Sequence, residues 1–198
     1  MADLPLQLST EHRDLLIRLA AGSIRHGLSC GEALPVKPGD YPMELQTPRA
    51  VFVTLHVSGD LRGCIGTLEA VDPLAHNVAK YAHAAAFADP RFPGITRPEF
   101  EQMDIHISIL DTPSPMEFKS EDQLLDQLQP GIDGLILEGG PRRGTLLPAA
   151  WSGVRDGRDF LRNLKRKAGL APADWSADWK VLRYTAVCIP ERRNDPGP

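Results

Sequence analysis

Apolar residues recur at helical spacing from Leu15 through Leu19 to Ile24, behind Ser9 and Thr10, whose side-chain oxygens suit an N-cap. Glu11 and Asp14 complement the positive end of that helix, and Gly27 is its expected stop. Pro35, Pro38, Pro42 and Pro48 withhold amide donors across residues 31–49, which predicts an ordered surface loop. The period then changes to two. Val51, Val53, Leu55 and Val57 alternate with Phe52, Thr54 and His56, the pattern of a half-buried strand, and Ser58, Gly59 and Asp60 form a turn. Laying residues 61–66 back so that the apolar sets coincide pairs Val57 with Leu61, Leu55 with Gly63 and Val53 with Ile65. The same register sets His56 opposite Arg62, Thr54 opposite Cys64 and Phe52 opposite Gly66.

Asp72 and Pro73 start a second helix with Leu74, Val78, Tyr81, Ala82 and Ala85 inward, and Asp89 before Pro90 should stop it. Ile105, Ile107 and Ile109 alternate with His106 and Ser108 in a strand, and a short helix follows Ser120. Residues 135–138 and 145–147 read as strands around a glycine-rich turn. A helix from Asp156 carries Phe160, Leu161, Leu164 and Ala168 up to Gly169, and residues 180–189 form the last strand. Hairpins with helices interspersed give an α+β class, mainly an antiparallel sheet with flanking helices. Residues 10–190 are expected to form a single domain, and residues 191–198, with Arg192, Arg193, Pro196 and Pro198, a flexible tail.

Composition narrows this further. The chain has 198 residues, 42% of them hydrophobic and 24% charged, with a formal net charge of −4, which makes nucleic acid an unlikely main partner. Residues 1–137 hold 10 Lys and Arg against 19 Asp and Glu, whereas residues 138–198 hold 12 against 7, so the C-terminal third is locally basic. No run resembles a signal peptide or a membrane span, so the expected location is cytoplasmic, without a membrane partner. Cys30, Cys64 and Cys188 make no disulfide framework or C-x-x-C pair, and the six histidines show no ligand spacing. No metal or cofactor is expected, and no phosphate-cradling glycine motif is present.

The chemistry concentrates in residues 61–66. Strand alternation turns Arg62, Cys64 and Gly66 one way and Leu61, Gly63 and Ile65 the other, so guanidinium and thiol share a face. A neighbouring cation favours the thiolate, and His56, diagonal to Cys64 at ~7 Å between backbones, is placed to accept its proton. The bland reading of Cys64 is a small buried hydrophobe. Two glycines within a strand point to a close approach to the backbone. Asp89, Pro90, Arg91 and Phe92 form a polar and aromatic cluster in which Asp89 and Arg91 pair at a chain reversal. The candidate catalytic residues are therefore Cys64 and His56, and the candidate ligand-binding residues Leu61, Arg62, Gly63, Ile65, Gly66, Asp89 and Arg91.

The hexad, with residues 51–55 before it, 89–92 after the helix, 107–110 ending near Pro113, 134–137 with 146–148, and Phe160, Leu161, residues 167–170 and Trp175, resembles the AMMECR domain family, protein A of the AmmeMemoRadiSam system. The resemblance spans roughly residues 10–188. It implies two interlocked subdomains around antiparallel strands, a hexad acting as the functional site, and partnership with a Memo-type protein and a radical SAM enzyme. Ala149 and Ala150 stand where the family pattern leads one to expect a polar residue, and the cysteine motif of the radical enzyme is missing. Three readings stay open: an accessory protein binding a small molecule or peptide segment at the hexad, with Arg62 as anion anchor; a cysteine-dependent enzyme using Cys64 and His56; and a nucleic-acid-associated factor using the basic C-terminal third.

Overall fold

The structure is a computed structural model and describes residues 8–176 and 178–190; the expected tail at 191–198 lies outside the described residues. The chain divides into two compact units, one formed by residues up to Leu110 together with those from Val187 onward, the other by Asp111–Ala186.

In the first unit, α1 (Thr10–Cys30) is capped by Ser9, whose side chain accepts a hydrogen bond from the His12 N–H at 3.1 Å. It runs past Gly27 and stops at Gly31, whose φ of 78° lies in the left-handed region. Gly27 has another duty: a Cβ there would lie 2.5 Å from the Phe87 ring and 2.7 Å from the His83 ring, so the missing side chain admits those residues. The proline-rich stretch that follows is more structured than a surface loop. It holds a 3₁₀ turn at Pro38–Asp40 and a one-turn α2 (Met43–Gln46) that buries Leu45 completely.

Strands β1 (Val51–Val57) and β2 (Asp60–Gly66) form the expected hairpin. Helix α3 (Leu74–Phe87) begins one residue after Pro73, with no side chain capping it, so Asp72 stands outside and reaches Lys80 at 3.7 Å instead. A short α4 (Arg97–Glu101) leads into β3 (Met103–Leu110). Val51, Val53 and Leu55 of β1 and Ile105, Ile107 and Ile109 of β3 turn one face into a core shared with Leu16, Ile24, Leu74 and Val78. The core therefore sits under one side of the sheet, and the other side carries Phe52, Thr54 and His56 of β1 and His106 and Ser108 of β3.

The second unit contains β4 (Ser114–Pro115), α5 (Glu121–Leu125), β5 (Gly134–Gly139), β6 (Arg142–Leu146), α6 (Gly157–Lys167) and β7 (Lys180–Tyr184). Asp156 caps α6 by accepting from the Asp159 N–H at 2.9 Å, and Phe160, Leu161 and Leu164 pack on Leu135 and Leu137 of β5. Trp151 stacks on Phe160 with ring centroids 4.1 Å apart. The single last strand expected over 180–189 is two. It breaks at Thr185, and β8 (Ala186–Pro190) joins the first sheet while β7 stays in the second. The fold is thus α+β with two four-stranded sheets, in the orders β2-β1-β3-β8 and β4-β7-β5-β6. The β1–β2, β1–β3, β4–β7, β5–β6 and β5–β7 pairs are antiparallel.

Candidate functional site

The hairpin that carries the hexad turns on Ser58 and Gly59, with φ of 54° and 87°, the pair of positive values that a tight two-residue turn requires. That turn sets Val57 against Asp60 and His56 against Leu61. Farther along, Leu55 faces Gly63, Thr54 faces Cys64, Val53 faces Ile65 and Phe52 faces Gly66, as the apolar pattern requires. The two registers differ by one residue, and the surplus residue is Arg62, left as a β-bulge between Leu61 and Gly63. The expected pairings of Val57 with Leu61 and of His56 with Arg62 are therefore wrong. Leu61, as His56's partner, belongs to the open face rather than with Gly63.

Arg62, at the bulge, is bonded to the segment around α4. Its Nε donates to Glu99 Oε1 at 2.8 Å and one Nη to Glu99 Oε2 at 3.4 Å, while the Pro93 and Gly94 carbonyls accept from the guanidinium at 2.8 and 3.3 Å. With a side chain 13% exposed, Arg62 is committed to closing the loop ahead of α4 and is not an open anion anchor. Glu99 also accepts from the Thr96 N–H and hydroxyl in a capping box, and these donors, Arg62 first, hold its carboxyl at about 2.

Both hexad glycines answer to packing. A Cβ on Gly63 would lie 2.1 Å from the Ala85 carbonyl oxygen of α3, and one on Gly66 would lie 2.5 Å from the Phe52 ring and 2.2 Å from the Val51 carbonyl oxygen. The close approach anticipated at these positions is therefore made by the chain itself. Ile65 packs, partly buried, against the first core.

The Asp89 and Arg91 cluster is brought onto Cys64. Strand β2 ends the sheet, so the Cys64 main-chain groups point away from β1; its N–H donates to Asp89 Oδ2 at 2.9 Å, and its carbonyl accepts from Arg91 Nη2 at 3.4 Å. Arg91 in turn donates to both Asp89 oxygens, at 2.9 Å from Nε and 2.6 Å from Nη2. The Asp89 side chain is 2% exposed and that of Arg91 49%. Arg91 drives the Asp89 carboxyl far below the usual carboxylate range, outweighing burial, and the Cys64 and Arg91 N–H groups add to the effect. Phe92 meets both arginines, its ring centroid 5.3 Å from the Arg91 guanidinium carbon and 5.8 Å from that of Arg62.

The Cys64 sulfur is half-buried and accepts from the Thr54 hydroxyl at 3.2 Å. The His56 ring meets His106 edge-on at 5.0 Å, and burial, followed by the His106 charge, lowers its pKa against the opposing pull of Asp104. Pairing of Thr54 with His106 and of Phe52 with Ser108 extends the open face across β3, and Ser108 lies 3.7 Å from the Cys188 sulfur. No group of three or more His, Cys, Asp or Glu residues fit to hold a metal occurs among the described residues.

This arrangement can be set beside known proteins. The AMMECR1 family model matches residues 17–189. The chain belongs to the AMMECR1 family. A protein of Methanothermobacter thermautotrophicus is 38% identical over 186 residues, covering 93% of this chain and 96% of that one. One from Methanopyrus kandleri is 35% identical over 192 residues, covering 93% and 91%. The crystal structure of an uncharacterized protein from Pyrococcus horikoshii matches with a TM-score of 0.83 at 36% identity, covering 91% of this chain and 92% of that one. Within this AMMECR1 chain, Thr54 stands opposite Cys64 as the pattern required, and the partners of the hexad that the pattern did not reveal are Glu99 and the Pro93 and Gly94 carbonyls. Glu99 carried a signal, its three-residue spacing from Thr96, whereas carbonyl acceptors carry none in sequence.

Proposed function

We propose that this AMMECR1-family protein is a binding component that works beside Memo-type and radical SAM partners in the cytoplasm, and that the open face around Cys64 receives a small molecule or a peptide segment. The observation that carries this reading is the Asp89–Arg91 bracket on the Cys64 main chain. It fixes the backbone beside a half-buried thiol and leaves part of a guanidinium exposed there, an arrangement suited to holding a ligand. Arg91 takes the anion-anchoring role first expected of Arg62. Among the described residues no hydrogen bond joins His56 to the thiol, whose bond comes from Thr54, and this weighs against the enzyme reading. The Thr54 hydroxyl bond to the sulfur and the Arg91 guanidinium beside Cys64 are the features in that reading's favour. The basic C-terminal third has much of its charge paired, Arg155 and Arg162 with Asp159, Arg158 with Asp122 and Lys165 with Glu121, which gives little support to nucleic-acid binding.

The test is affinity capture of the Memo-type and radical SAM proteins from the same cell by the tagged chain. Wild type is expected to retain them, and Arg91→Ala and Cys64→Ala to lose them while remaining folded by circular dichroism. Capture undiminished in both variants would overturn the reading. Thioester hydrolysis abolished by Cys64→Ala would replace it with the enzyme.

A further inference from the structure

The second unit holds a cavity of about 400 Å³ lined by Met116, Glu117, Phe118, Lys119, Gln123 and Trp179, remote in sequence from the hexad and within the size range of small-ligand sites. Its wall is fixed by hydrogen bonds before any ligand arrives. The Met116 N–H donates to the Val181 carbonyl at 2.9 Å, the Glu117 carbonyl accepts from Gln127 Nε2 at 3.0 Å, and the Lys119 N–H donates to Gln123 Oε1 at 2.9 Å. Trp179 is held by Lys165, whose ammonium lies 5.8 Å from its ring centroid and 5.9 Å from that of Trp175. That lysine side chain is only 2% exposed; its ammonium donates to Glu121 Oε2 at 2.7 Å and to the Pro172 carbonyl at 3.3 Å. Trp175 meets Trp179 edge-on at 5.8 Å and Phe118 at 5.6 Å, which ties the three rings into one block.

The polar groups at this cavity have capacity left over. Because Gln123 Oε1 is taken by the Lys119 N–H, the orientation of the amide is set and its Nε2 is the free end; among the described residues no acceptor is bonded to it. The side chains of Glu117 and Lys119 form no ion pair among the described residues either, so the lining offers one free charge of each sign beside an aromatic wall. Rings, a donor amide, an ammonium and a carboxylate within one preformed hollow are complementary to a zwitterion that carries a ring.

We propose that this cavity binds an aromatic amino acid, its ring against Trp179 and Phe118, its carboxylate met by Gln123 Nε2 and the Lys119 ammonium, and its ammonium met by Glu117. The site is independent of the Cys64 surface, and neither reading needs the other. The test is titration of the full-length ¹⁵N-labelled protein with L-phenylalanine followed by amide and indole N–H shifts. Saturable shifts are expected at residues 116–123 and the Trp179 indole. Gln123→Ala and Lys119→Ala, both at exposed positions, are each expected to weaken binding roughly tenfold, the worth of one hydrogen bond to a charged group. N-acetylphenylalanine, which lacks the ammonium, is expected to bind more weakly than the free amino acid. Shifts that are absent or centred elsewhere, wild-type affinity in both variants, or equal binding of the acetylated compound would each overturn the proposal.

Discussion

At the scale of single residues, Gly63 and Asp89 explain more of the hexad than its thiol does. Gly63→Ala places a methyl group against the Ala85 carbonyl oxygen, main chain that cannot step aside without moving α3, and a loss of about 3 kcal/mol is expected in urea unfolding. Asp89→Asn keeps a side chain of the same shape but gives up its charge-assisted bonds to Arg91, with an expected cost of about 2 kcal/mol at neutral pH. The pH dependence has a definite sign. The folded carboxyl sits below its unfolded value of about 4, so its stabilisation is complete above that pH and is lost as the pH falls through the folded value. Wild type should thus lead Asp89→Asn at pH 7, and the gap between their urea midpoints should narrow steadily below about pH 4. Glu99, held at about 2, contributes in the same direction between about pH 4 and pH 2.

At the scale of elements, the β1–β2 hairpin shows how far a pattern can be read. Pairing from Phe52 and Gly66 down to Leu55 and Gly63 follows from matching apolar positions, because a one-residue slip there would turn a buried row toward water. The pattern loses its hold near the turn, where the backbone demand of Ser58 and Gly59 outweighs it, and the mismatch is absorbed at Arg62. A double-mutant cycle on Arg62 and Glu99 is expected to return a coupling of about 1–2 kcal/mol, because the pair joins β2 to α4 through two bonds and is partly shielded from water. Helix interiors were legible from periodicity, but their ends were less so. Gly27 and Asp72 look like terminators because of residue type, whereas Gly31 and Pro73 hold the terminal positions because of backbone geometry. The break at Thr185 was hidden because β7 and β8 together form one unbroken stretch of strand-forming sequence. Of the site itself, the pattern gave Cys64, Asp89 and Arg91 as residues and the pairing of Asp89 with Arg91, but not the contact of that pair with Cys64, since those bonds run through the Cys64 main chain.

At the scale of the molecule, two cores serve two sheets that share no strand, one built on Leu55, Ile107 and Val78, the other on Leu137, Phe160 and Leu161. Leu161→Ala should cost about 3 kcal/mol by opening a cavity in the second core. Native-state hydrogen exchange should then show protection falling first in β5 and β7, with β1 and β3 less affected. The Asp89–Arg91 bracket also has a bearing on how copies of the chain behave toward each other. A sheet border with vacant main-chain groups is a template on which a neighbour's strand can add, and here one carboxylate and one guanidinium occupy it at Cys64. Solutions of an Asp89→Ala, Arg91→Ala double variant, compared with wild type at equal folded fraction, should scatter more light and bind more thioflavin as concentration rises, because the residues that frame the thiol also guard the chain against polymerisation.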